Sequence, residues 1–166
     1  MTIASAGFSG LTRAQNEILS YWHAQRGMNR LPRRDQIDPG VLRSHLAAIS
    51  IVEVQPDGDM RFRLVGSKLR AVLGRQISGY CLGELQGAAA DMFSLGLSAV
   101  LEREAPIGGI IERTRDCHAW MRLPLAVEGA APVILCHDAL LSKREQIGDA
   151  GAQSNRVSRI NEGLAA

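Results

Sequence analysis

Most residue types able to do chemistry fall in two short runs, Cys117-His118 and Cys136-His137-Asp138. Cysteine and histidine are the usual zinc ligands, and a histidine beside an aspartate suggests general-base catalysis. Spacing argues against both. The runs lie in apolar segments that read as strands, where neighbours face opposite ways. Neither Cys-His pair can then chelate one ion, and His137-Asp138 cannot form a dyad by adjacency. If Glu128-Gly129 is the turn between the two strands, Cys136 lies opposite Met121 and Cys117 opposite Leu140. The thiols are then roughly 13 Å apart, too far for a shared metal and beyond the ~7 Å Cα limit of a disulfide. Both read as small buried core residues. No metal site and no catalytic residue is expected. The enzyme alternative, built on His118 or His137, needs a polar cleft that neither run supplies on its own.

Other candidates are weaker. Gly74 to Gly83 is glycine-rich but lacks the Lys-Ser/Thr ending of a phosphate loop, so it reads as caps and turns. No Gly-x-Ser-x-Gly elbow is present. Arg30, Arg33 and Arg34, with Arg26 and Arg43, form a basic region that suits nucleic acid, a nucleotide or an acidic protein surface. The plainer reading is a solvated loop offset by Asp35 and Asp38, with Arg34 held by a nearby aspartate. A net charge of +2 argues against nucleic acid.

The elements that must position these groups follow from composition and pattern. At 166 residues, 46% of them apolar, one domain with a real core is expected; aromatics are only 4%, so aliphatic side chains must fill it. No apolar run reaches the ~18 residues of a membrane span, and the start of the chain lacks the pattern of a signal peptide. Three cysteines, an odd number, suit a reducing compartment, so the expected location is cytoplasmic. Residues 1–11 read as a flexible leader and 142–166 as a polar tail flanking a domain over 12–141.

Thr12 and Gln15 have capping-box spacing, and Ile18, Tyr21 and Trp22 recur helically, predicting a helix over 12–26 closed by Gly27. A short helix is expected from Asp38-Pro39 to His45. Strands are predicted at 46–54 and 60–66 around an Asp57-Gly58 turn. A three-residue loop over Asp57–Asp59 would set Glu53 opposite Arg63 and place Val65 with Ile49 and Ile51 on the far face. A short helix over 67–73, a longer one over 88–104, and strands at 107–113, 117–127 and 131–141 complete the order. The short connections require antiparallel pairing, hence an α+β domain. Trp22 is worth about 2–3 kcal/mol when buried, so its stripe is expected to act as a lid on the sheet and as part of a homodimer contact through Ile18, Tyr21 and Trp22.

Taken together, Tyr21-Trp22, Leu31-Pro32 with Arg34, Ile37-Asp38-Pro39, Phe62-Arg63-Leu64-Val65-Gly66, Gly74-Arg75 with Gly79 and Leu82, and Leu123-Pro124-Leu125 resemble a family of small bacterial PAS-domain proteins over residues 17–140. The resemblance implies a five-stranded antiparallel sheet in order 2-1-5-4-3, helices on one face around a ligand cavity, and a flanking N-terminal helix. It implies a non-catalytic sensor or regulatory module that binds a small ligand, a signalling protein such as a histidine kinase, or both. Phe62, Leu64, Met92, Met121 and Leu123 are the candidate cavity residues. Cys81 sits in Gly-Tyr-Cys-Leu-Gly rather than Asn-Cys-Arg, so covalent flavin is not expected. The helix over 88–104 has no histidine, so haem is not expected either.

Overall fold

A computed structural model describes residues 12–73 and 76–142. The expected leader, Gly74-Arg75, and the expected tail beyond Ser142 lie outside the described residues. Helix α1 spans Arg13–Arg26 and opens on the capping box: Gln15 N–H donates to Thr12 Oγ1, and Thr12 N–H donates to Gln15 Oε1, each at 3.1 Å. Gly27, at φ +55, closes it. Strands β1 (Ile49–Val54) and β2 (Met60–Val65) form a hairpin. Helices α2 (Ser67–Leu73), α3 (Gly87–Ser94) and α4 (Leu97–Arg103) follow, then β3 (Ile107–Glu112), β4 (Asp116–Leu125) and β5 (Val133–Ser142). The five strands pair antiparallel in the order β2-β1-β5-β4-β3.

Each face of the sheet has its own core. On one face α1 lays Ile18 and Trp22 over Ile49, Ile51, Met121, Leu123, Leu125 and Leu135. Trp22 is 2% exposed, and its Nε1 donates to the Pro124 carbonyl at 3.0 Å, so the indole satisfies its one donor while buried. On the other face α2, α3 and α4 deliver Leu69, Phe93, Leu97 and Val100 onto Val52, Phe62, Val65, Ile134 and Cys136. Phe62 and Phe93 meet edge to face, centroids 6.0 Å apart.

Four sequence expectations are corrected here. The stretch after Pro39 forms turns rather than a helix, and a single 3₁₀ turn over Leu46–Ala48 precedes β1, which starts at Ile49. The β1–β2 hairpin is shifted: Gln55 N–H bonds the Asp59 carbonyl, and Glu53 lies opposite Arg61. A bulge then changes the register between Ile51 and Val52. Because one extra residue inverts the facing of everything beyond it, Leu64 pairs with Ile51, while Val65 joins Phe62 under the helices. Arg63 still reaches Glu53, its Nε donating to Oε2 at 2.6 Å. The long helix over 88–104 is broken at Leu95-Gly96, where Gly96 adopts φ +72. Finally, β4 and β5 pair one residue away from the expected register, with Met121 opposite His137 and Arg122 opposite Cys136.

Candidate functional site

The corrected register builds a polar cluster in the middle of the sheet. His118, Trp120 and Arg122 alternate along β4, opposite Leu140, Asp138 and Cys136 of β5. Paired residues share a face, and Cys136 belongs to the core beneath the helices, so this whole set faces α2–α4. Arg122 is fully buried, and Asp138 and His118 are 3% and 2% exposed. The Arg122 guanidinium grips Asp138 with both ends, Nη1 to Oδ2 at 3.1 Å and Nη2 to Oδ1 at 3.0 Å. His118 Nε2 lies 2.8 Å from the same Oδ1. Burial alone would raise the Asp138 pKa, but the Arg122 charge and the hydrogen bonds from His118 and Arg122 outweigh it and hold the carboxyl below its ordinary value. An ionised carboxylate only accepts, so His118 Nε2 carries the proton in that bond.

Arg122 also links the sheet to the helices. Its Nε donates to the Leu95 carbonyl at 2.9 Å and its Nη1 to the Met121 carbonyl at 2.9 Å. Leu95 and Gly96 are the residues at which the helical segment breaks. Gly96 admits no side chain, since a Cβ there would come within 2.4 Å of Trp120 Cζ3. The Arg122 guanidinium in turn lies 5.7 Å from the centre of the Trp120 ring. The α3–α4 junction is therefore held from below by two side chains of β4.

A cavity of about 430 Å³ reaches this cluster. It exists because β1 stops short. Ile49, the first residue of β1, pairs with His137, so beyond His137 no strand among the described residues flanks β5 on that side. The cavity wraps round this free edge and takes side chains from both faces: His118 and Asp138 from the helical side, His137 from the α1 side. Thr12–Ala14, Ser44, His45, Ala47, Ala48, Lys68, Leu69, Met92 and the end of β5 from Ala139 to Leu141 complete the wall. His137 is 2% exposed, and its Nδ1 is buried with no hydrogen-bond partner. Burial drives its pKa down to about 4, with His45, Arg122 and Lys68 acting the same way against the opposing pull of Asp138. The ring is therefore neutral at pH 7. Burial also pushes the neighbouring Cys136 thiol up to about 12, which keeps it protonated and a poor nucleophile.

The residues singled out from the sequence separate in space. Of the five cavity candidates, Met92 alone lines this cavity. Phe62 is buried against Phe93, Met121 and Leu123 lie under α1 on the opposite face, and Leu64 sits, 44% exposed, at a second hollow with Arg34, Ile37, Leu42 and Arg70. The bulge in the hairpin and the facing of β4 are what separate the five. Ile18, Tyr21 and Trp22 act as the lid. Ile18 and Trp22 are fully engaged with the sheet, and Tyr21 Oη bridges the Gln36 carbonyl and the Asp38 N–H. Ile18 and Trp22 thus face inward, while Tyr21 keeps part of its surface open. The basic loop does not converge: Arg33 pairs with Asp35, Arg30 with Glu104, and Arg34, expected to take an aspartate, borders the second hollow instead. Cys81 sits beside Asp59, away from the cavity. Among the described residues no three His, Cys, Asp or Glu groups come together as a metal site, and no helix is long and apolar enough to cross a membrane.

The sheet order, the helices and the N-terminal helix are consistent with one family. The family model described as a PAS domain matches residues 11–120, about two-thirds of the chain. This chain belongs to the PAS-domain family. The match ends within β4, just before Arg122, and β5, with Asp138, completes the sheet of this PAS domain. No curated protein matches the chain. PAS domains are in general sensor and regulatory modules, and the family match supports a role of that general kind here.

Proposed function

We propose that this PAS domain is a cytoplasmic regulatory module that binds a small ligand in the cavity at the free edge of β5 and passes the occupancy to a signalling protein such as a histidine kinase. One observation carries this reading. Two groups of the cavity wall, His118 and Asp138, are joined through Arg122 to the Leu95 carbonyl at the α3–α4 break. A ligand that competes for His118 or Asp138 changes how firmly Arg122 holds that break. It thereby favours one arrangement of the helices over another by its difference in affinity for the two.

The polar cluster suits holding and relaying rather than bond-making. The Asp138 oxygens are already taken by Arg122 and His118, and the adjacent thiol is protonated. The test is two-dimensional NMR of the protein with a metabolite panel, paired with native mass spectrometry. A bound species that moves the His118 and Leu95 resonances supports ligand sensing. Absence of any bound species, with all core resonances unmoved, refutes it and leaves a docking role alone. Pull-down against the cell's histidine kinases, with and without the bound species, checks that role.

A further inference from the structure

The cavity at the free edge of β5 has a definite chemical character, and the inference drawn from it rests on the reading that this cavity takes a ligand. Its wall divides into two parts. One is apolar, formed by Ala47, Leu69, Met92 and Leu141. The other is polar and carries Arg13, His45, Lys68, His118, His137 and Asp138.

Two observations point to what fills the polar part. First, His137 Nδ1 is buried without any partner in a side chain that is 98% covered. An unmade hydrogen bond of this kind is unfavourable, and a ligand oxygen accepting from Nδ1–H removes that penalty. Second, the charges facing the ring are unbalanced toward positive. Asp138 is next to it on β5, but Arg122 of β4 already neutralises that carboxylate. His45, ahead of β1, is engaged by Glu17 of α1, and Glu17 is also bonded by Arg13. Lys68 of α2 acts on His137 and has no carboxylate partner among the described residues. The first turn of α1, which also borders the cavity, contains no acidic residue. An anionic oxygen pair there would accept from His137 and pair with the Lys68 ammonium, which otherwise faces solvent.

We propose that this cavity binds a small carboxylic acid with an apolar body, its carboxylate received by Lys68 and His137 and its chain laid on Leu69, Met92 and Leu141. A neutral molecule of the same shape would fill the apolar part and leave the charge of Lys68 unanswered.

The probe is octanoate, with 1-octanol as the neutral match, added to the full chain. Binding is followed by calorimetry and by long-range nitrogen spectra of the imidazole rings. Octanoate should shift both ring nitrogens of His137 and raise its titration midpoint, because a bound anion stabilises the imidazolium. Octanol should bind at least about tenfold more weakly, and Lys68→Gln should weaken octanoate by about tenfold, the scale of one charge-assisted contact. Lys68 is exposed, so this variant keeps its fold. His137→Gln is the second variant and should weaken octanoate and narrow its preference over octanol, leaving the part that Lys68 carries. Equal binding of octanol and octanoate, an unmoved His137 ring, or full affinity in Lys68→Gln each overturns the assignment. If octanoate fails while another metabolite of the panel shifts His118 and Leu95, the ligand class is wrong and the regulatory reading stands. If nothing binds at all, both fall.

Discussion

Removing the Arg122 guanidinium tests the central cluster most directly. In Arg122→Met the apolar stem is roughly kept, while two bonds to Asp138 and the bonds to Leu95 and Met121 are lost. Asp138, 3% exposed, is left as a buried charge held only by His118. Breaking one side of a buried pair costs about 3–5 kcal/mol, against a total stability of about 5–15 kcal/mol for a domain. For a chain of this length that is a fall in Tm of roughly 10–15 °C. The pH dependence gives the sharper check. In the native protein the Asp138 pKa is depressed, so its contribution is present above the unfolded value and is lost only as pH falls below about 4. In Arg122→Met the dominant remaining influence is burial, which raises that pKa. The variant should therefore be least stable near pH 7 and recover relative to the native protein as pH approaches 4 and Asp138 takes up a proton. Urea denaturation at pH 7 and pH 4.5 reads both quantities. Replacing the pair together, Arg122→Met with Asp138→Leu, should restore most of the loss, since an apolar pair of similar volume needs no desolvation. A loss under 1 kcal/mol in the single variant, or one that grows toward low pH, would refute a buried ionised pair.

Three further outcomes follow. His137 has a folded pKa of about 4 against 6.5 unfolded, so the unfolded chain binds the extra proton between those values; stability should fall by about 3 kcal/mol as pH drops from 7 to 4, and His137→Gln should flatten most of that dependence in chemical denaturation. Gly96→Ala places a Cβ against Trp120 at a positive φ, and should lower stability by about 2 kcal/mol or more in thermal unfolding, with part of the loss relieved in a Gly96→Ala, Trp120→Leu double variant. Native protein exposed to an aromatic disulfide reagent at pH 8 should react at Cys81 alone, slowly, because Cys117 and Cys136 are 1% and 2% exposed; rapid release of three thiolates before unfolding would contradict the buried positions of both.

Local signals in the sequence located the elements well where they act within a few residues. Thr12 and Gln15 mark the start of α1, and the Trp22 stripe identifies a lid whose target is the sheet. Facing was harder. The bulge in the β1–β2 hairpin has no mark of its own, and it moves Leu64 to the face opposite Phe62. One residue of register between β4 and β5 separated Cys136 from Met121 and set it opposite Arg122. The cluster that matters was overlooked because adjacency was the criterion: His137 and Asp138 indeed face opposite ways, yet Asp138 meets Arg122 and His118 on the neighbouring strand. A usable signal was present. An arginine in Ala119-Trp120-Met121-Arg122-Leu123 and an aspartate in Cys136-His137-Asp138-Ala139 are opposite charges in two apolar strands joined by one turn. Diagonal pairing across such a hairpin brings them together, and burial of one requires the other. Gly96 likewise marked the break in the helical segment.

Both broad surfaces of the sheet are closed by this chain itself, one by a single helix and the other by three. The outer margin of β2 is capped as well, since Phe62 bonds Gly79 and Tyr80 through the backbone. Among the described residues, a partner of the proposed kind would therefore meet helix exteriors, connecting loops or the strand margins that stay open. If the proposed ligand occupies the interior, its effect would travel outward as tilts and slides of the covering layers, because peeling them off would expose the two hydrophobic interiors at once.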